Sequence, residues 1–183
     1  MLRLSIAIAA ILLCFGEARS TSAEQHPGGS GEKYPTFFSS DNDNPAFYNA
    51  TQPSGLILSA LLKTTQVRGR GLNELDRESQ RKAFHVVPID LGDAAGEDYI
   101  ALGSKPVTGA DNDWFWIVRV RQGRASVLLF TGTLTVNILP HKTNGHNDIR
   151  TFWCSGASGM RERFKYNGSV YKLASKRSVE IKP

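Results

Sequence analysis

Glu97-Asp98-Tyr99-Ile100-Ala101-Leu102-Gly103 and Asn147-Asp148-Ile149-Arg150-Thr151-Phe152-Trp153 decide the fold class of this chain. Each is an acidic or amide turn that runs straight into an apolar strand. Each is followed by a second strand and a glycine hairpin, at Gln122-Gly123 and at Asn167-Gly168. A pattern that returns in this way predicts two related β units, neither able to bury its own apolar face alone. It carries no chemistry of its own.

Outward from these stretches the period stays that of strands. They are expected at residues 84–89, 98–102, 114–121, 125–131, 133–139, 148–154, 160–166 and 169–173, most of them separated by turn residues. Pro88 suits a strand end or an edge. Upstream the period is helical. Ser54 is a suitable N-cap, and Ile57, Leu58, Leu61 and Leu62 form one apolar stripe that ends at Gly69 and Gly71. A short surface helix follows from Asn73, with Asn73 and Asp76 satisfying first-turn amides. Helices first and strands after read as α+β: an N-terminal helix or helix pair packed on a predominantly antiparallel β-sheet of about seven to eight strands. The expected core is Trp114, Trp116, Val118 and Val120 on one strand face, with Leu129, Phe130, Leu134, Val136, Ile138, Ile149 and Phe164.

Residues 1–23 read as a signal peptide. Met1-Leu2-Arg3 gives the basic start, residues 4–15 are apolar apart from Ser5, and Thr21-Ser22-Ala23 offers a small-residue cleavage site. The apolar run is shorter than the roughly 20 residues a spanning helix needs, so no transmembrane helix is expected after its removal. The chain is then periplasmic or secreted. Residues 24–53 read as a disordered or irregular leader, Gly- and Ser-rich at first, with Phe37, Phe38, Phe47 and Tyr48 docking on the domain. Residues 54–183 are expected to form that domain, a single α+β unit. Removal of the signal takes Cys14 with it, leaves Cys154 as the only thiol, and permits no intrachain disulfide.

Asp90-Leu91-Gly92-Asp93-Ala94-Ala95-Gly96-Glu97-Asp98-Tyr99-Ile100 resembles a degenerate form of the Asp-rich loop in FG-GAP and VCBS-type β-propeller repeats. In that family the loop runs Asp-x-Asn-x-Asp-Gly-x-x-Asp into a strand, often around calcium. Asp90 and Asp98 match its first and last ligands, while Gly92 and Ala94 stand where oxygen ligands belong. Asn144-Gly145-His146-Asn147-Asp148-Ile149 resembles the end of the same loop. The resemblance implies a calcium-stabilised module, although two units cannot close a propeller. Gly109-Ala110-Asp111-Asn112-Asp113-Trp114-Phe115-Trp116 and residues 143–149 are also similar to segments of small exported bacterial proteins of unassigned function. That likeness implies fold and location only.

Candidate chemistry divides four ways. Calcium, the one cofactor to consider, would use Asp90, Asp93, Glu97 and Asp98 as hard oxygen ligands; the competing role for these side chains is capping turn amides. A nucleophile could be Cys154 with His141 or His146, or His85 elsewhere, but no local signature supports it. Ser155-Gly156-Ala157-Ser158-Gly159 misses the Gly-x-Ser-x-Gly spacing, and His141 with His146 lacks a second ligand pair for zinc. The basic strand positions carry most. Arg161, Arg163 and Lys165 share one strand face, Arg119 and Arg121 crowd another hairpin, and Arg150 lies on a third strand, with Trp153 and Tyr171 expected near them. If aligned, these cations form a surface for an envelope protein or an anionic glycan or lipid headgroup. Nucleic acid is not an expected partner outside the cytoplasm.

The sequence thus reads as an exported non-enzymatic binding protein of the cell envelope, in the manner of an inhibitor or immunity-type partner. The alternatives are a calcium-stabilised structural module related to propeller repeats and a small envelope hydrolase.

Overall fold

The computed structural model describes residues 34–40, 44–93, 96–108, 112–155 and 158–180. The expected signal peptide and residues 24–33 lie outside them. Among the described residues nine strands form two antiparallel sheets. One orders β2 (Phe84–Ile89), β3 (Glu97–Gly103), β4 (Asp113–Arg121) and β5 (Arg124–Thr133) side by side. The other orders β1 (Phe37–Ser39), β6 (Thr135–Thr143), β7 (His146–Ser155), β8 (Ser158–Tyr166) and β9 (Tyr171–Glu180). Three helices, α1 (Gly55–Leu62), α2 (Thr65–Arg68) and α3 (Arg77–Lys82), precede all but the first strand. The β-rich α+β class stands. The single sheet of seven to eight strands is corrected to nine strands in two sheets.

The division happens at Leu134. β5 and β6 are separated by this one residue, and the chain passes from one sheet to the other there. Thr133 holds the corner, its hydroxyl donating to the Phe152 carbonyl at 2.6 Å, while the Leu134 amide donates to the same oxygen at 2.9 Å. Strands that switch sheets at a bend are how stacked sheets make corners.

The four-stranded sheet is buried on both faces, which is why Trp114-Phe115-Trp116-Ile117-Val118 is apolar without alternation. Phe115 and Ile117 join Val87, Ile89, Ile100, Val136, Ile138 and Ile149 between the sheets. Trp116 and Val118 face the helices, packing with Ile57, Leu58 and Leu61 of α1. Each of those aliphatic side chains contributes about 1.5–3 kcal/mol by burial. α1 starts as expected, with the Ser54 hydroxyl accepting from the Ile57 amide. The second expected helix begins later than Asn73: Leu72–Glu74 is a 3-10 turn and Asp76 caps α3.

Of the four aromatics expected to dock on the domain, Phe38 and Phe47 pack against the core, whereas Phe37 and Tyr48 are exposed. Phe38 is fully buried, and β1 pairs with β6 through Phe38↔Val136. Gln122-Gly123 forms the expected two-residue turn, with φ of 51° and 71°. A second such turn is Asn144-Gly145, at 51° and 82°. Asn167-Gly168 belongs instead to a four-residue loop, because the Asn167 carboxamide oxygen accepts from the Ser169 and Val170 amides and widens it. No helix among the described residues is long and apolar enough to cross a membrane.

Candidate functional site

The outer face of the five-stranded sheet, away from the four-stranded one, is built by strand register. Residues directly opposite in an antiparallel pair point the same way. One outer row runs Phe37, Asn137, Arg150, Arg163, Ser175. The next runs Ser39, Thr135, Phe152, Arg161, Arg177. Beyond the first row, Lys165 opposes Lys172. Six cations therefore share the face, in three directly opposed pairs: Arg150 with Arg163, Arg161 with Arg177, and Lys165 with Lys172. Like charges directly opposite are destabilising. All three pairs are centred on β8, where alternate residues stand about 6.8 Å apart, so the stripe runs roughly 14 Å from Arg161 to Lys165.

Among the described residues one carboxylate lies beneath. Asp148 is fully buried, and its Oδ2 accepts from Arg163 at 2.7 Å and 3.1 Å and contacts His141 Nδ1 at 2.9 Å. Burial pushes this carboxyl up, but the Thr143 hydroxyl, Arg163 and His141 outweigh it and hold it below the usual range. Arg163 is thereby fixed in place with a third of its side chain still exposed. Six cations over one carboxylate give the face a local surplus equal to the whole chain's net charge of +5. An apolar corner adjoins it. The Arg161 guanidinium lies 6.0 Å from the Phe152 ring centroid, a cation–π contact. Gly159 leaves room for that ring, since a Cβ there would stand 2.6 Å from it.

Of the six cations expected from sequence, Arg150, Arg161, Arg163 and Lys165 come together here. Arg119 does not. It is buried between the sheets, where Asp98 takes both ends of its guanidinium at 2.8 Å and 2.9 Å. Arg121 lies at the end of β4 opposite Arg124, on the other sheet. Trp153 and Tyr171 also leave the face. Trp153 turns to the opposite side, with Lys176 Nζ 5.8 Å from its ring centroid. Tyr171 is buried, its hydroxyl donating to the Asn147 carbonyl, and burial pushes its phenol well up. Lys172 and Arg177 were not anticipated. The strand expected to stop at residue 173 runs to Glu180, and Ala174-Ser175-Lys176-Arg177-Ser178 has no apolar alternation because β9 is exposed on both faces.

The four carboxylates considered for calcium line a shallow depression of about 350 Å³ with Tyr34 and Tyr99, and each is engaged by protein. Asp98 and Asp93 bind Arg119, Asp90 accepts the Gly92 amide at 2.6 Å, and Glu97 accepts the Tyr99 hydroxyl at 2.7 Å. That last bond pushes the phenol up to about 12. Among the described residues no three His, Cys, Asp or Glu side chains are arranged to hold a metal ion.

The residues considered for nucleophilic chemistry are dispersed. His141 is on Asp148, and His146 contacts Arg119 and stacks on Tyr166 at 3.8 Å between centroids. His85 is exposed on β2. Cys154 is buried with Leu134 and Phe152. The chain matches no family model, no curated protein and no solved structure.

Proposed function

We propose that this chain is an exported, non-enzymatic binding protein that captures an anionic partner on the outer face of its five-stranded sheet. The observation that carries the reading is the set of three like-charge pairs on that face. A sheet under selection for stability alone would place opposite charges across its strands. Local rules are broken where a site needs them broken. Arginines present forked donors suited to carboxylate, sulfate or phosphate oxygens, and Arg163 is pre-positioned by Asp148. The apolar, signal-like residues 4–15 suit export to the periplasm or outside the cell. In that setting an inhibitor or immunity-type role in the envelope fits.

The test is binding to dextran sulfate across a salt series. The chain is expected to bind at ~50 mM salt and to release steeply as salt rises. Arg150→Glu with Arg161→Glu, which spares the Asp148 contact, is expected to abolish binding while circular dichroism stays unchanged. Undiminished binding by that folded variant would remove the face from consideration.

A further inference from the structure

We infer that the partner is an extended acidic polypeptide strand, which adds to the free edge of β9 and places carboxylates on alternate residues against the cationic face. This rests on the reading above and names the kind of partner. β9 spans Tyr171–Glu180 and pairs only with β8 among the described residues. Its other edge therefore presents a row of backbone N–H and C=O groups. The register shifts between Arg163 and Phe164, and from Ser175 to Glu180 the pairing is regular, a docking length of roughly 20 Å.

The two sides of that segment ask for different side chains. On the outer face Arg177 stands directly opposite Arg161, cation against cation. A residue of an added strand lies about 5 Å from Arg177, Cβ to Cβ, and an acidic one there relieves the like-charge pair. On the inner face Lys176 already has its partner, Glu162, at 3.1 Å. The partner strand is thus acidic at outer positions and neutral at inner ones, a period of two residues that matches the spacing of cations along β8.

The edge also decides between partner classes. Alternating backbone donors and acceptors are complemented by another polypeptide backbone, whereas a glycan or lipid headgroup would engage the cations alone. A second copy of this chain is disfavoured, because antiparallel β9 edges would bring Lys172, Lys176 and Arg177 of both copies together.

The experiment titrates the full chain with a fluorescent peptide of about ten residues alternating Glu and Thr. Its comparators are the same peptide N-methylated on the docking edge, and dextran sulfate. The alternating peptide is expected to bind at least roughly tenfold tighter than the N-methylated one and to slow amide exchange in residues 175–180. Equal binding of the two peptides, with no added protection, would overturn edge addition while dextran sulfate binding left the cationic face standing. Binding by neither the peptides nor dextran sulfate would overturn both.

Discussion

Arg119 and Asp98 stand directly opposite each other on β4 and β3 and close a two-pronged ion pair inside the protein, Nε to Oδ1 at 2.8 Å and Nη2 to Oδ2 at 2.9 Å. The same guanidinium reaches Asp93 and donates to His146 Nε2 on β7, so it ties the two sheets together. The other ring nitrogen of His146, Nδ1, lies 3.1 Å from the Asn144 carbonyl. The hydrogen bond to Asp98 is the main reason the guanidinium pKa is raised.

Asp98→Ala should therefore be severe. It leaves a buried guanidinium without its paired carboxylate, a change that costs about 3–5 kcal/mol, with Asp93 holding the loss near the lower end. Urea unfolding measures it. A loss below about 1 kcal/mol, as for an exposed ion pair, would mean that this pair does not hold the sheets.

The related stretch repeats the device. Asp148, the counterpart of Asp98, is also buried and also taken by an Arg of the following strand, Arg163. Asp148→Asn is expected to cost about 1–3 kcal/mol at about pH 6. The sign with pH comes from the carboxyl lying below its ordinary 3.8 in the fold. Its contribution is fully present above about pH 4 and is lost as pH falls through the folded value. The gap between parent and variant should thus close below about pH 4. Comparing the two cancels other carboxyls, including Asp113, which burial pushes up. A gap that stays constant from about pH 6 to about pH 3 would deny the ionised pair.

Two positions probe the helix-facing core. Trp116 is fully buried among Phe84, Trp114 and Phe130, so Trp116→Ala should cost about 3–5 kcal/mol. Melting unchanged from the parent would show that the ring is not buried. Gly103→Ala should be as damaging for a different reason. A Cβ there would overlap the Val107 carbonyl oxygen, a backbone atom that cannot swing away. Parent-like stability in Gly103→Ala would mean that the 103–107 turn is looser than described.

Much of the fold was legible because apolar periodicity reports burial. The Ile57–Leu62 stripe, the β4 tryptophans and the Gln122-Gly123 turn all lie where their patterns place them. The division into two sheets was not legible, since Leu134 looks like any strand residue and the sheet change depends on Thr133 meeting Phe152 in space. Arg119 misled for a similar reason. Its acidic partners lie 21 and 26 residues upstream, so sequence spacing showed a cation and not a pair. Arg161, Arg163 and Lys165 were legible from period two alone, whereas Lys172 and Arg177 sit on an edge strand with no apolar face to announce it.

Arg177→Glu is the most direct test of whether the cationic face is kept for binding at the expense of stability. It turns the Arg161–Arg177 pair into an opposite-charge pair without touching Asp148 or the core. The expected result is a folded protein more stable by up to about 1 kcal/mol that binds dextran sulfate more weakly and releases it at lower salt. A variant that is no more stable and binds as tightly as the parent would contradict the assignment of this face.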